Sequence, residues 1–262
     1  MIKDTKEILL DAQKNNYAVS AFSVYNLETA QAAVTAAEKA KLPVILALGE
    51  RYIQYLDLEV FAVMAKKIAD KAKVPVGLHL DHAYKKESII LAIKYGFTSV
   101  MFDGSKLPFQ ENIQKTKEIC ELAHMAGVSV EAELGSISKG EHSDEEDGDN
   151  ILTIPVLAKE FVEKTQIDFF APAIGTVHGM YKGIPEIDLI RLKEIKDLIT
   201  VPLVLHGGSG TPEDKLIQMI NSGICKINVN TEISISAINF LKNHFESSFN
   251  EKKYCISQIL IN

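Results

Sequence analysis

Eight short runs of apolar and β-branched residues, at 17–22, 43–48, 75–80, 98–103, 128–133, 167–171, 202–206 and 224–229, recur along the chain. After each comes a segment of helical periodicity, at 27–40, 58–72, 87–95, 111–126, 156–164, 189–198, 213–221 and 232–245. Proline opens the strands at Pro43, Pro75 and Pro202, and Gly96, Gly127 and Gly223 follow helices, where a left-handed residue closes the last turn. Eight strand-then-helix units in 262 residues are the arithmetic of a closed α/β TIM barrel, (β/α)8, forming a single domain over 1–262. A doubly wound open sheet uses strands of the same apolar character and is the competing architecture.

Charge narrows the function classes. There are 35 acidic and 28 basic side chains, a formal charge of −7, and the only run of like charge is the acidic stretch 144–149. A bulk nucleic-acid binder needs a basic face to replace counterions on phosphates, and none is present. A local anion pocket remains open. Cys120, Cys225 and Cys255 are odd in number, far apart and without C-x-x-C spacing, which fits reduced thiols rather than a disulfide or zinc-ribbon framework. Residues 1–6 lead into a polar helix and lack the apolar core of a signal peptide. No stretch approaches the ~18 to 20 apolar residues of a membrane span. A cytoplasmic enzyme without nucleic-acid or membrane partners is therefore expected.

A barrel of this kind carries its chemistry where strands end. His82 follows the third run, His178 lies in the loop after the sixth, and His206 ends the seventh, so three imidazoles from separate strand ends converge on one mouth. That set suits a divalent metal with an open position for substrate, with zinc leading. Any one of the three, taken alone, reads equally as a structural histidine. Strand alternation sends Asp81 to the opposite side from His82, which leaves it free to act as an acid/base group, or to orient a ligand histidine. Asp103 and Glu133 offer a second, oxygen-rich metal position, or are polar residues of the mouth. Gly207-Gly208-Ser209 and Asn228-Val229-Asn230-Thr231 lie after the last two strands, where barrels hold phosphate with backbone N–H groups. Segment 136–150, polar and acidic, reads as a mobile loop over the mouth or as a solvated surface loop. His79, His124, His142 and His244 are read as structural.

Seven stretches then carry a resemblance: Ala21-Phe22-Ser23, Leu78-His79-Leu80-Asp81-His82, Ser99-Val100-Met101-Phe102-Asp103, Glu131-Ala132-Glu133-Leu134-Gly135, Gly175-Thr176-Val177-His178-Gly179, Leu205-His206-Gly207-Gly208-Ser209-Gly210 and Lys226-Ile227-Asn228-Val229-Asn230-Thr231. Through them the chain resembles, over nearly its whole length, the class II metal-dependent fructose-bisphosphate and tagatose-bisphosphate aldolases. The resemblance implies catalytic zinc on His82, His178 and His206, with Asp103 and Glu133 at an alternate or second metal site. It implies that Asp81 exchanges the proton of the aldol hydroxyl. It implies that Gly179, Gly207, Gly208, Ser209 and Asn228 through Thr231 hold dihydroxyacetone phosphate, with a monovalent cation nearby. A loop glutamate exchanges the proton of that triose phosphate; the Glu-Asp-Gly context favours Glu146, and the distance from Gly135 favours Glu141. Zinc would then serve as the Lewis acid for the enediolate left by carbon–carbon cleavage, with no Schiff-base lysine. A homo-oligomer, dimer or tetramer, is expected.

The chain departs from the family pattern at Ser23, at Ala83 after His82, at Gly49-Glu50-Arg51, and at Asn250-Glu251-Lys252, where an Asp-Pro-Arg is usual. Lysine does not replace arginine at a bidentate phosphate clamp. The sequence also ends sooner than the family leads one to expect. These departures touch the far half of the substrate and leave fructose against tagatose bisphosphate, or a phosphorylated sugar acid, open. A metal-dependent barrel hydrolase would show an H-x-H pair on the first strand, which is missing at 17–22. A sugar-phosphate-binding barrel without turnover is the non-enzymatic alternative.

Overall fold

The computed structural model describes residues 1–145 and 147–251; Glu146 and 252–262, with Lys252 and Cys255, lie outside the described residues. Its strands are β1 (Val19–Ser23), β2 (Val44–Gly49), β3 (Val76–Ala83), β4 (Ser99–Phe102), β5 (Ser129–Leu134), β6 (Ser138–Lys139), β7 (Phe169–Pro172), β8 (Val177–His178), β9 (Leu203–Leu205) and β10 (Ile224–Val229). Eight of them form a closed barrel in the order β1-β2-β3-β4-β5-β7-β9-β10, and β1 pairs in parallel with both β2 and β10. That closure excludes the open doubly wound sheet. The short β6 and β8 pair separately, beside the mouth, a ladder too small to leave a periodic signal in the sequence.

Helices α1 (Thr5–Asn15), α2 (Leu27–Ala40), α3 (Leu58–Lys71), α4 (Lys86–Tyr95), α5 (Phe109–Met125), α6 (Pro155–Thr165), α7 (Leu189–Leu198), α8 (Glu213–Asn221) and α9 (Thr231–Glu251) follow their local chemistry. In α2, Ala30, Ala33, Val34 and Ala37 fall on one buried face, and Asn26 with Thr29 closes a reciprocal N-terminal cap. Lys41 stops that helix in the left-handed region at φ 57°. A 3-10 helix, Glu50–Tyr55, carries the chain from β2 over the rim.

Two separate cores explain why the barrel has a polar mouth. Leu78 and Leu80 of β3 and Val130 and Ala132 of β5 face outward and pack with helix residues such as Phe61 and Ile89. Inside, Ile8, Leu9 and Ala12 of α1 plug one end against Val19, Ala21, Ile45 and Phe169. Beyond that plug the inward positions turn polar. His79 and Asp81 alternate with Leu78 and Leu80, Glu131 and Glu133 with Val130 and Ala132, and all four are buried. Burying so many polar side chains is costly unless each finds a partner, and their partners define the site.

Candidate active site

At the tip of β3 the ladder with β4 slips: Leu80 pairs with Val100 and Ala83 with Phe102, so Asp81 and His82 together stand opposite the single Met101. His82 takes φ 46°, left-handed for a residue other than glycine. Regular alternation would send His82 out between strand and helix. The extra residue turns it inward instead, and Asp81 and His82 line the same cavity. The expectation that alternation separates them is thus corrected by the bulge.

His82, His178 and His206 meet there. Ring centroids lie 5.0 Å apart for His82 and His178, 4.6 Å for His82 and His206, and 5.8 Å for His178 and His206. One ring nitrogen from each lies within 4.8 Å of the others. His178 Nε2 and His206 Nδ1 are buried and, among the described residues, have no hydrogen-bond partner. Orphaned imidazole nitrogens facing one another are costly without an acceptor of their lone pairs, so the donor set fits a divalent metal. The outer atoms of two rings are fixed. His82 Nδ1 lies 2.8 Å from Asp103, and His206 Nε2 lies 2.7 Å from Glu131. His82, Asp103 and Glu133 form a second potential ligand group on the neighbouring side.

Charge is finely divided among these groups. Burial disfavours the imidazolium of His82, yet Glu145, Asp81 and Asp103 outweigh it and hold its pKa well above the usual histidine value. His206 is likewise opposed by burial but raised to about 9 by Glu131, bonded to Nε2, and by Glu133, whose Oε2 lies 3.3 Å from Nδ1. Burial, with His82 and His206 nearby, pushes His178 the other way. Burial also raises Glu133, and Asp103 beside it adds to the rise. Asp81 stays ionised well below the usual carboxylate range because His82, then His79 and Lys226, overcome its burial. Asn228 donates from Nδ2 to both Asp81 oxygens, at 3.2 and 3.3 Å.

The ends of β8, β9 and β10 form the adjoining wall. Gly179, Gly207, Ser209, Asn228, Asn230 and Thr231 line the cavity with Ser23 and Ser143. Gly207 has φ 71°, and a Cβ there would stand 2.2 Å from the Val177 carbonyl, so the turn admits no side chain. Thr231 opens α9 and places a helix N-terminus at this wall. Gly208 and Val229 do not line the cavity; the Gly208 amide donates to the Asn228 carbonyl at 3.1 Å.

Residues 144 and 145 of the acidic loop are tied across the mouth. Arg51 reaches Asp144 at 3.0 Å and Glu145 at 2.5 Å, Tyr52 O–H donates to Asp144, and Asn230 Nδ2 donates to Asp144 at 3.1 Å. Glu145 lines the cavity near the histidines, whereas Glu141 is exposed and pairs through its backbone with Met180. The sequence reading missed Glu145, Glu131 and Lys226. Glu131 shares the inward parity of Glu133 and Lys226 that of Asn228, a signal available in the pattern. Nothing in the sequence ties Arg51 to a loop 93 residues away.

A family model described as fructose-bisphosphate aldolase class-II matches residues 3–260. A fructose-bisphosphate aldolase of Geobacillus stearothermophilus is 43% identical over 235 residues, 88% of this chain and 81% of that protein. The crystal structure of the YdjI aldolase from Escherichia coli K12 superposes with a TM-score of 0.87 at 36% identity, covering 100% of this chain and 92% of that one. Fructose-bisphosphate aldolase (Fba) from Campylobacter jejuni superposes with a TM-score of 0.78 at 23% identity over 94% of this chain and 82% of that one, a likeness of fold. The chain belongs to the class II fructose-bisphosphate aldolase family, metal-dependent lyases acting on phosphorylated sugars.

Proposed function

We propose that the protein reversibly splits a ketose 1,6-bisphosphate, in the first instance fructose 1,6-bisphosphate, into dihydroxyacetone phosphate and glyceraldehyde 3-phosphate. The observation that carries this reading is the pair of buried, unpartnered imidazole nitrogens of His178 and His206 beside a glycine-rich wall at a helix N-terminus. His82, His178 and His206 would hold zinc, and His82 with Asp103 and Glu133 a second divalent position. When bound, the metal supplies an electrophile for the negative charge that carbon–carbon cleavage leaves on the triose phosphate.

The chain's own groups do the rest. Asp81, ionised and oriented by Asn228, takes the proton of the C4 hydroxyl in cleavage and returns it in condensation. Gly179, Gly207, Ser209, Asn228, Asn230 and Thr231 receive the C1 phosphate, with Gly208 and Val229 shaping the wall and a monovalent cation beside the anion. For the proton on the triose phosphate carbon, Glu145 is our first assignment because its side chain lines the cavity. Glu146 and Glu141 are the competing loop carboxylates, and single Glu→Gln variants at the three positions separate them by proton exchange into dihydroxyacetone phosphate. A homo-oligomer is supported by the exposed apolar Tyr55, Val60 and Val63, and a cytoplasmic setting by the buried free thiols of Cys120 and Cys225. Among the described residues no helix is long and apolar enough to cross a membrane.

The test is an assay of zinc-loaded protein against fructose and tagatose 1,6-bisphosphates in parallel, with a chelator control. Cleavage of one epimer, lost on chelation, is expected. Asp81→Asn should keep its metal and slow cleavage ~10²-fold or more, the scale of general acid–base catalysis. Tight zinc and sugar-phosphate binding with neither cleavage nor proton exchange would instead identify a binding barrel. A preference for the tagatose epimer would move the substrate and leave the mechanism standing.

A further inference from the structure

Below the histidine cluster lies a set of charges that the proposed reaction does not use. Glu131 of β5 and Lys226 of β10 are both fully buried, and Lys226 Nζ lies 2.7 Å from Glu131 Oε2. The other oxygen, Oε1, lies 2.7 Å from His206 Nε2. His79, Asp81 and Glu131 also have the spacing of a ligand group. The ammonium of Lys226 already occupies one Glu131 oxygen, however, so this group holds its own fixed cation and has no need of a metal.

The consequence falls on His206. It stands one residue beyond the end of β9, where the ladder no longer dictates which way its ring points. An ionised carboxylate has only acceptors to offer, so the bond to Glu131 requires the proton of a neutral His206 ring to sit on Nε2. The lone pair is then on Nδ1, which makes no hydrogen bond and lies 3.3 Å from Glu133 Oε2, a longer approach than the 2.7 Å between Nε2 and Glu131. Lys226, in turn, anchors Glu131 from the opposite wall and compensates its charge in a site closed to water.

We propose that Glu131 and Lys226 form a buried carboxylate–ammonium strut that fixes the tautomer and direction of His206, presenting Nδ1 to the metal. Both are positioning residues. The inference deepens the metal assignment made above and rests on it for one arm of its test only.

Glu131→Gln keeps the shape but presents an amide that can donate to the ring as readily as accept from it. Its zinc affinity, measured by competition with a chromogenic chelator, should fall ~10- to 100-fold, the range seen when the partner of a ligating histidine is lost. Activity lost at limiting zinc should recover at saturating zinc. Lys226→Met leaves an uncompensated buried carboxylate and should destabilise the fold; adding Glu131→Gln to it should restore stability and leave zinc affinity low. That divergence separates positioning from support of the fold. The metal-independent arm is the 15N spectrum of His206 in zinc-free protein, followed with rising pH until the ring carries a single proton. The wild type should show the Nε2–H form, and Glu131→Gln a mixture of tautomers. Wild-type zinc affinity in the double variant, or an unchanged tautomer in Glu131→Gln, overturns the proposal. Failure of the wild type to bind zinc would strike the metal reading, and the spectrum would still decide the strut.

Discussion

His82 is where the candidate site depends most on one backbone angle. Its left-handed φ of 46° is of a kind that costs on the order of 1–3 kcal/mol and persists only when its surroundings enforce it. Here the 2.8 Å bond to Asp103 holds the ring on the cavity side. The protonation of these histidines gives a prediction with a definite sign. His206 keeps its second proton to about 9, so in the metal-free protein that proton contributes stability fully below the ordinary histidine value and loses it as pH rises through about 9. A metal needs the lone pair that this proton occupies. Zinc affinity should therefore climb with pH toward about 9, about tenfold per unit for each proton displaced. Titration across that range checks it, and a flat profile would show that the rings are neutral before metal arrives. The three histidines were legible in sequence because each lies at or just past a strand's end. The inward turn of His82 was not, because one extra residue in β3 reverses what alternation dictates.

Segment 136–150 shows what an element can conceal. Its composition marks it as a loop, but the ties that hold it are contributed by Arg51 and Tyr52 of the 3-10 helix and by Asn230 before α9. Arg51 also lies 4.5 Å from the centroid of the Tyr52 ring, which limits the directions its guanidinium can take. Arg51→Ala should release the segment. Amide exchange at 141–145 and 147–149 should speed up roughly 2- to 10-fold, in keeping with partly exposed ion pairs, and exchange in the barrel strands should not change. Equal rates in variant and wild type would show that backbone pairing alone fastens the loop. Strands and helices of the barrel were readable because each repeats its apolar spacing over several residues. Two-residue strands such as β6 and β8, and ion pairs between distant segments, have no such repetition to be read.

Across the molecule, the count of eight strand-then-helix units pointed to a barrel but left the open doubly wound sheet in competition, until the pairing of β1 with β10 closed the ring. What it did not disclose was the division of the interior, apolar around α1 and polar from His79 outward. Leu9 is wholly buried in that plug. Leu9→Ala should cost ~2–5 kcal/mol of stability, seen as a lower urea midpoint, with zinc affinity nearly unchanged because the ligands sit at the opposite end. A large loss of affinity would mean that the two ends are coupled. A tube stoppered at its foot has a single doorway. Both pieces of a severed sugar would have to go out the way the whole came in, past the same acidic threshold, and the piece gripped deeper would be the second to go.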